Sequence, residues 1–140
     1  MVDERRVRRL LQRVTEDLAY LRQRSALGRA TLLADTDRLA GLKYVFVTAI
    51  EGCLNVAQHI CASEGWGPPE SNADALRVLG RHGVLDADTA EAMARAVGFR
   101  NVLVHGYASV DDQLVIDQLG RLDLLQDFVA TVARFVEDGG

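Results

Sequence analysis

Apolar residues recur every third or fourth position along almost the whole chain, and no segment alternates apolar and polar residues for long. That is the period of α-helices burying one face, and it leaves little room for a sheet. Prolines, which would break such helices, occur only as the adjacent pair Pro68 and Pro69. The expected fold is an all-α bundle of about five helices, forming a single domain over residues 1–140. With 49% apolar and 26% charged residues, a chain of 140 residues can bury a sizeable core. Those proportions exclude a disordered chain, a collagen-like repeat and a disulfide scaffold.

The spacing predicts a first helix from about Asp3 to Arg24, with Val7, Leu10, Leu11, Val14, Leu18 and Leu21 as its buried stripe. The pattern over Ser25–Ala34 is ambiguous, and Gly28 favours a break. A long second helix covers about Asp35 to Glu64 and ends at Gly65. Gly65-Trp66-Gly67-Pro68-Pro69 reads as a loop. Ser71 with Asp74 resembles a capping box opening a short third helix to His82, closed by Gly83. Asp86 caps a fourth helix that reaches about Val104, before Gly106. Asp111 or Asp112 opens a fifth, whose buried face holds Leu114, Leu119, Leu122, Leu125, Phe128, Val129 and Val132.

Formal charge is −4, unevenly spread. Arg5, Arg6, Arg8, Arg9 and Arg13 crowd the first turns, whereas residues 111–138 hold seven acids against Arg121 and Arg134. An acidic protein with one basic stripe can touch phosphates but is no general nucleic-acid binder, and a solvated helix face is the better account of the stripe. Charged side chains fill residues 1–24, which argues against a signal peptide. The weakly charged stretch Tyr44–Cys61 is interrupted by Glu51, Asn55, Gln58 and His59, unlike a bilayer span. A soluble, cytoplasmic protein without membrane contact is expected. Cys53 and Cys61 sit two helical turns apart, too far for a bridge, and are expected as buried free thiols. No CxxC, HExxH, phosphate-cradling glycine loop or GxSxG motif is present, and His59, His82 and His105 lie far apart. Neither a metal site nor a cofactor is expected.

The informative residues are polar ones set inside apolar stripes. Arg100 falls between Val97 and Val104 on the stripe that begins at Met93. An unpaired buried guanidinium costs several kcal/mol, so Arg100 must meet a partner or a cleft, pair structurally with Glu51, or reach the surface. Asn101 and His105, four apart, share a neighbouring face, and Tyr107 would return toward Arg100 past Gly106. In the second helix Tyr44, Thr48, Glu51, Asn55, Gln58 and His59 form a polar row among apolar neighbours. Any amphipathic helix has such a row. Read functionally, it is one wall of the cleft holding Arg100, with Glu51 as the counter-ion and Asn55 and Tyr44 as lining residues.

Arg-x4-His-x-Tyr at the end of the fourth helix of such a bundle resembles the signature of the HEPN superfamily. More narrowly, Arg100, Asn101, His105 and Tyr107 match the RNxxxHxY signature of the HepT toxins, which belong to the MntA/HepT type of toxin–antitoxin system. Ala49-Ile50-Glu51, the proline loop, Ala75–Leu79 and Gly83-Val84-Leu85 also resemble family features, so the likeness spans most of residues 35–130. The resemblance implies a homodimeric, metal-independent endoribonuclease whose two motifs meet at the dimer interface. It also implies a minimal nucleotidyltransferase antitoxin, alone or in a larger assembly with the toxin, that attaches adenylate to Tyr107.

The residue types suit that reaction. His105 has the pKa range to take a proton from a ribose 2′-hydroxyl near neutrality. Arg100 can grip the phosphate, and Asn101 can orient the imidazole or the phosphate. Phe99, Val102 and Leu103, on sectors away from Met93 and Val97, call for burial on a second side of the helix and so for a two-fold dimer. The rival reading is a non-catalytic protein that binds a nucleotide or the nucleotidyltransferase in the same cleft. A third, a purely structural helical dimer, leaves Arg100 unexplained.

Overall fold

In the computed structural model, which describes residues 1–106 and 109–139, every regular element is helical. The elements are α1 (Glu4–Ser25), α2 (Arg29–Leu33), α3 (Thr36–Ser63), α4 (Asn72–Arg81), α5 (Ala87–Gly106), α6 (Asp112–Gln118) and α7 (Leu122–Glu137). A 3-10 turn, Leu119–Arg121, joins α6 to α7. Short polar side chains start most of them by accepting an otherwise orphaned backbone N–H. Asp3, Asp35, Ser71 and Asp111 do so for α1, α3, α4 and α6. Asp86 accepts from Thr89 N at 2.7 Å at the start of α5, and this bond holds its carboxyl below the usual range. The predicted box at Ser71 is reciprocal in a modified form: Asp74 accepts from Glu70 N, one residue ahead of the cap.

The core is organised around α3, which packs against α1, α4, α5 and α7. Leu42, Phe46, Ala49, Ile50, Cys53, Val56, Ala57, Ile60 and Cys61 are buried along it. Its most apolar stretch has a mean hydropathy of 1.3, so by length and composition alone α3 could cross a bilayer. Here its apolar surface is shared out among all six other helices instead. Gly52 lets α1 approach closely, since a Cβ at that position would lie 2.6 Å from Val14 Cγ2. Both cysteines are free and buried. Burial pushes the Cys53 thiol up to about 12, and it raises Cys61 as well.

Three expectations need correction. The count of about five helices rises, because the stretch left open contains one of its own: the break expected at Gly28 is there, where a φ of 84° ends the turn after α1 and starts α2. The expected fifth helix is divided by the 3-10 turn, which changes the helical phase. Val115 and Ile116 are therefore buried in α6, while Leu114 is exposed. The third correction concerns Val104, which lies outside the buried stripe at 39% exposure. α5 packs mainly along α4, and α4 has only ten residues. Gly80 packs on Ala90, and Arg77 pairs with Glu91 at 3.0 Å. The same antiparallel register brings Asn72, the first residue of α4, opposite about residue 97. Past that point α4 is gone, and Arg100 and Val104 emerge from its cover.

Candidate functional site

The last two turns of α5 lean on α3 instead. Phe99 packs edge-on against Phe46, with ring centroids 5.5 Å apart and planes at 86°, and Leu103 is buried. Of the three side chains expected to demand a dimer, Leu103 is thus covered within one chain and Phe99 is half-buried. Val102, at 53% exposure, is the one left open. The aromatic contact fixes the register that brings Arg100 to Glu51. Arg100 Nε and Nη2 both donate to Glu51 Oε1, at 3.2 and 2.6 Å, and Nη1 donates to Asn101 Oδ1 at 2.9 Å. The arginine side chain is 17% exposed and that of Glu51 38%. A guanidinium in an apolar stripe is thereby partnered yet still reachable from solvent.

His105 lies one turn beyond Asn101 on the same side of α5, and it is exposed. Tyr107 lies outside the described residues. The polar row of α3 divides in two. Tyr44, Thr48, Glu51 and Asn55 line a polar cleft of about 300 Å³ against α1, whose wall is Leu10, Arg13, Glu16 and Asp17. Gln58 and His59 belong elsewhere. Gln58 donates to Asn72 Oδ1 at 3.2 Å, and His59 Nε2 accepts from Asp3 N at 3.0 Å. Burial lowers the pKa of His59, which suits this acceptor role for a neutral ring. His82 stacks flat on Trp66 at 4.0 Å. Among the described residues, no group of three His, Cys, Asp or Glu side chains is placed to share a cation.

Sequence reasoning missed the α1 side of the cleft. Asp17 Oδ2 accepts from Thr48 Oγ1 at 2.7 Å. Burial pushes its carboxyl up, and the Thr48 bond partly offsets that. Asp17 lies directly beside the buried Val14, Leu18 and Leu21 stripe, and nothing in that pattern sets it apart from a solvated carboxylate. Also missed was an apolar groove of about 640 Å³ lined by Leu39, Ala40, Val47, Leu103 and Val104. Lys43 pairs with Asp112 at its rim at 2.9 Å. Tyr44, 70% exposed, stands on the ridge between groove and cleft.

A family model described as ribonuclease HepT-like matches residues 3–132. The chain belongs to the HepT-like family. It is 29% identical over 100 residues to a protein of Archaeoglobus fulgidus, covering 71% of this chain and 75% of that one. It is also 27% identical over 66 residues to the mRNA nuclease HepT of Shewanella oneidensis, covering 47% of this chain and 50% of the relative. In three dimensions this HepT-like chain resembles the tri-AMPylated Shewanella oneidensis HEPN toxin solved in complex with its MNT antitoxin. The TM-score is 0.84 at 18% identity, over 94% of this chain and 98% of that one. The fold is thus that of a HEPN toxin. Within this HepT-like fold, Arg100, Asn101 and His105 fall in the part of α5 that α4 leaves uncovered.

Proposed function

We propose that the chain is the toxin of a toxin–antitoxin pair, an endoribonuclease that cleaves RNA by attack of a 2′-hydroxyl on the adjacent phosphate. The observation that carries this reading is a half-buried guanidinium held by Glu51 and Asn101, with an exposed imidazole one turn away, in a chain of a ribonuclease family. His105 takes the 2′-hydroxyl proton, and the 2′-oxygen forms a bond to phosphorus. The bond to the 5′-oxygen breaks, leaving a 2′,3′-cyclic phosphate and a 5′-hydroxyl that gains a proton. Arg100 stabilises the charge that builds on the phosphoryl oxygens, and Asn101 holds one of its nitrogens. None of these steps requires a metal.

Two copies related by a two-fold axis through α5 and part of α3 would supply a second His105 as the proton donor. Exposed Val102, Val104 and Tyr44 offer the apolar surface for that contact. Tyr107 follows the motif, and adenylation there by a nucleotidyltransferase antitoxin would place bulk and negative charge where RNA must enter. The acidic balance, with a pI near 5.3, favours the rival reading, a protein that only binds a nucleotide or the antitoxin.

Incubation of the purified protein with end-labelled RNA separates the two readings. The expected products carry 2′,3′-cyclic phosphate ends and form in the presence of chelator. Arg100→Ala and His105→Ala should abolish them with little change in thermal midpoint, since both side chains reach solvent. Intact RNA with the wild type would replace the nuclease with the binding-only protein, and full cleavage by either variant would remove that residue from the mechanism.

A further inference from the structure

The hydrogen bonds of Arg100 show which part of the guanidinium is free to act. Of its five N–H groups, Nε–H and one on Nη2 go to a single carboxylate oxygen, Oε1 of Glu51, and one on Nη1 goes to Asn101. Two remain, one on each terminal nitrogen, and these can meet two oxygens of one phosphate. A guanidinium on a long side chain has many rotamers, so its plane has to be fixed by a partner. The carboxylate on α3 does so, because both donors of one edge converge on one atom. Glu51 is itself held in place. It follows the buried Ile50 on a helix that Phe46 locks against Phe99.

We propose that Glu51 is a positioning residue that turns the two free terminal N–H groups of Arg100 toward the scissile phosphate. The proposal rests on the ribonuclease reading of Arg100. Glu51 acts through geometry: an acceptor at Oε1 is what matters, and its negative charge is a cost to phosphate binding that the alignment offsets. The misaimed arginine of a variant would still attract RNA, since its charge remains. It would no longer meet the transition state in register, and misplacements of an ångström cost on the order of 10²-fold in rate.

The experiment uses the full chain, an RNA oligonucleotide that the wild type cleaves, and the same sequence 2′-O-methylated throughout, which lacks the nucleophile. Glu51→Ala should lower the single-turnover cleavage rate on the order of 10²-fold, with little change in Kd for the methylated strand. Glu51→Gln keeps an oxygen that can accept both bonds, so it should retain most of the rate and bind the methylated strand at least as tightly. Should the alanine variant lose its helical circular dichroism, Glu51→Asp, which withdraws the oxygen by one methylene, takes its place. A wild-type rate in the truncated variant would overturn the proposal. So would equal loss of rate in the Ala and Gln variants, which would make the charge the active feature. Arg100→Ala in the same assay keeps the two questions apart: if it cleaves normally, Arg100 does not grip the phosphate and Glu51 has nothing to aim, whereas a wild type that leaves the RNA intact removes the ribonuclease reading itself.

Discussion

Arg100 connects the parts of the site. Glu51 lies on one side of it, Asn101 on the other, and the imidazole of His105 lies a turn further along α5. A lysine there would offer one rotatable ammonium in place of a planar fork, and could not serve carboxylate and phosphate along separate edges. Control falls to a different residue. Tyr107→Phe removes only a hydroxyl at almost constant volume. If catalysis uses Arg100 and His105, this variant should retain much of its cleavage activity yet escape an adenylating antitoxin, so that co-expression no longer protects the cell. Mass spectrometry of the co-expressed wild type should find adenylate on the peptide containing Tyr107. An unmodified peptide from a fully silenced complex would make the antitoxin a steric block. Arg100 was legible in the sequence because a cation in an apolar stripe contradicts the stripe. Asp17 was not, because one carboxylate at the edge of an amphipathic face looks like any solvated residue until α3 closes over it.

At the scale of elements, local signals were read well and changes of phase were not. Caps such as Ser71 and Asp86 act over three residues, so sequence alone locates them. The break at Leu119–Arg121 and the short α2 depend on where other helices press, and periodicity carries no record of that. The length of α4 matters most. It decides which part of α5 lies under α4 and which part is left to α3 and solvent, and two glycines test the arrangement. A Cβ at Gly80 would lie 2.6 Å from Ala90 Cβ, so Gly80→Ala must push α4 away from α5. It should lower stability by about 1–3 kcal/mol despite alanine's better helix propensity. At Gly98 a Cβ would meet nothing within 4 Å, so Gly98→Ala should gain about 0.5–1 kcal/mol. Thermal denaturation reads both, and a stabilised Gly80→Ala protein would show that the α4–α5 seam is looser than described.

For the whole molecule, the open question is what covers the apolar surface beyond α4. Val102 and Tyr44 are exposed on the α5 and α3 sides of the site, and a two-fold contact would bury them together with the groove beside Val104. Sedimentation at micromolar concentration should find a dimer. Val102→Asp, which places a charge in that contact without touching the core, should give a monomer with reduced cleavage. A monomeric wild type that cleaves RNA fully would remove the second His105 from the mechanism. The interior offers a different kind of instrument. Thiol alkylation requires the thiolate, and with Cys53 pushed up to about 12 and both cysteines buried, the native protein gives a reagent almost nothing to attack. The two thiols also watch different seams: the charge of Asp17 on α1 is felt at Cys53, and the Cys61 thiol donates to Ala75 O on α4. Alkylation under native conditions thus becomes a pair of clocks, one timing the parting of α1 from α3 and the other the parting of α4. A clock at Cys61 that ran ahead of the one at Cys53 would mark α4, the helix whose length exposes Arg100, as the first to let go.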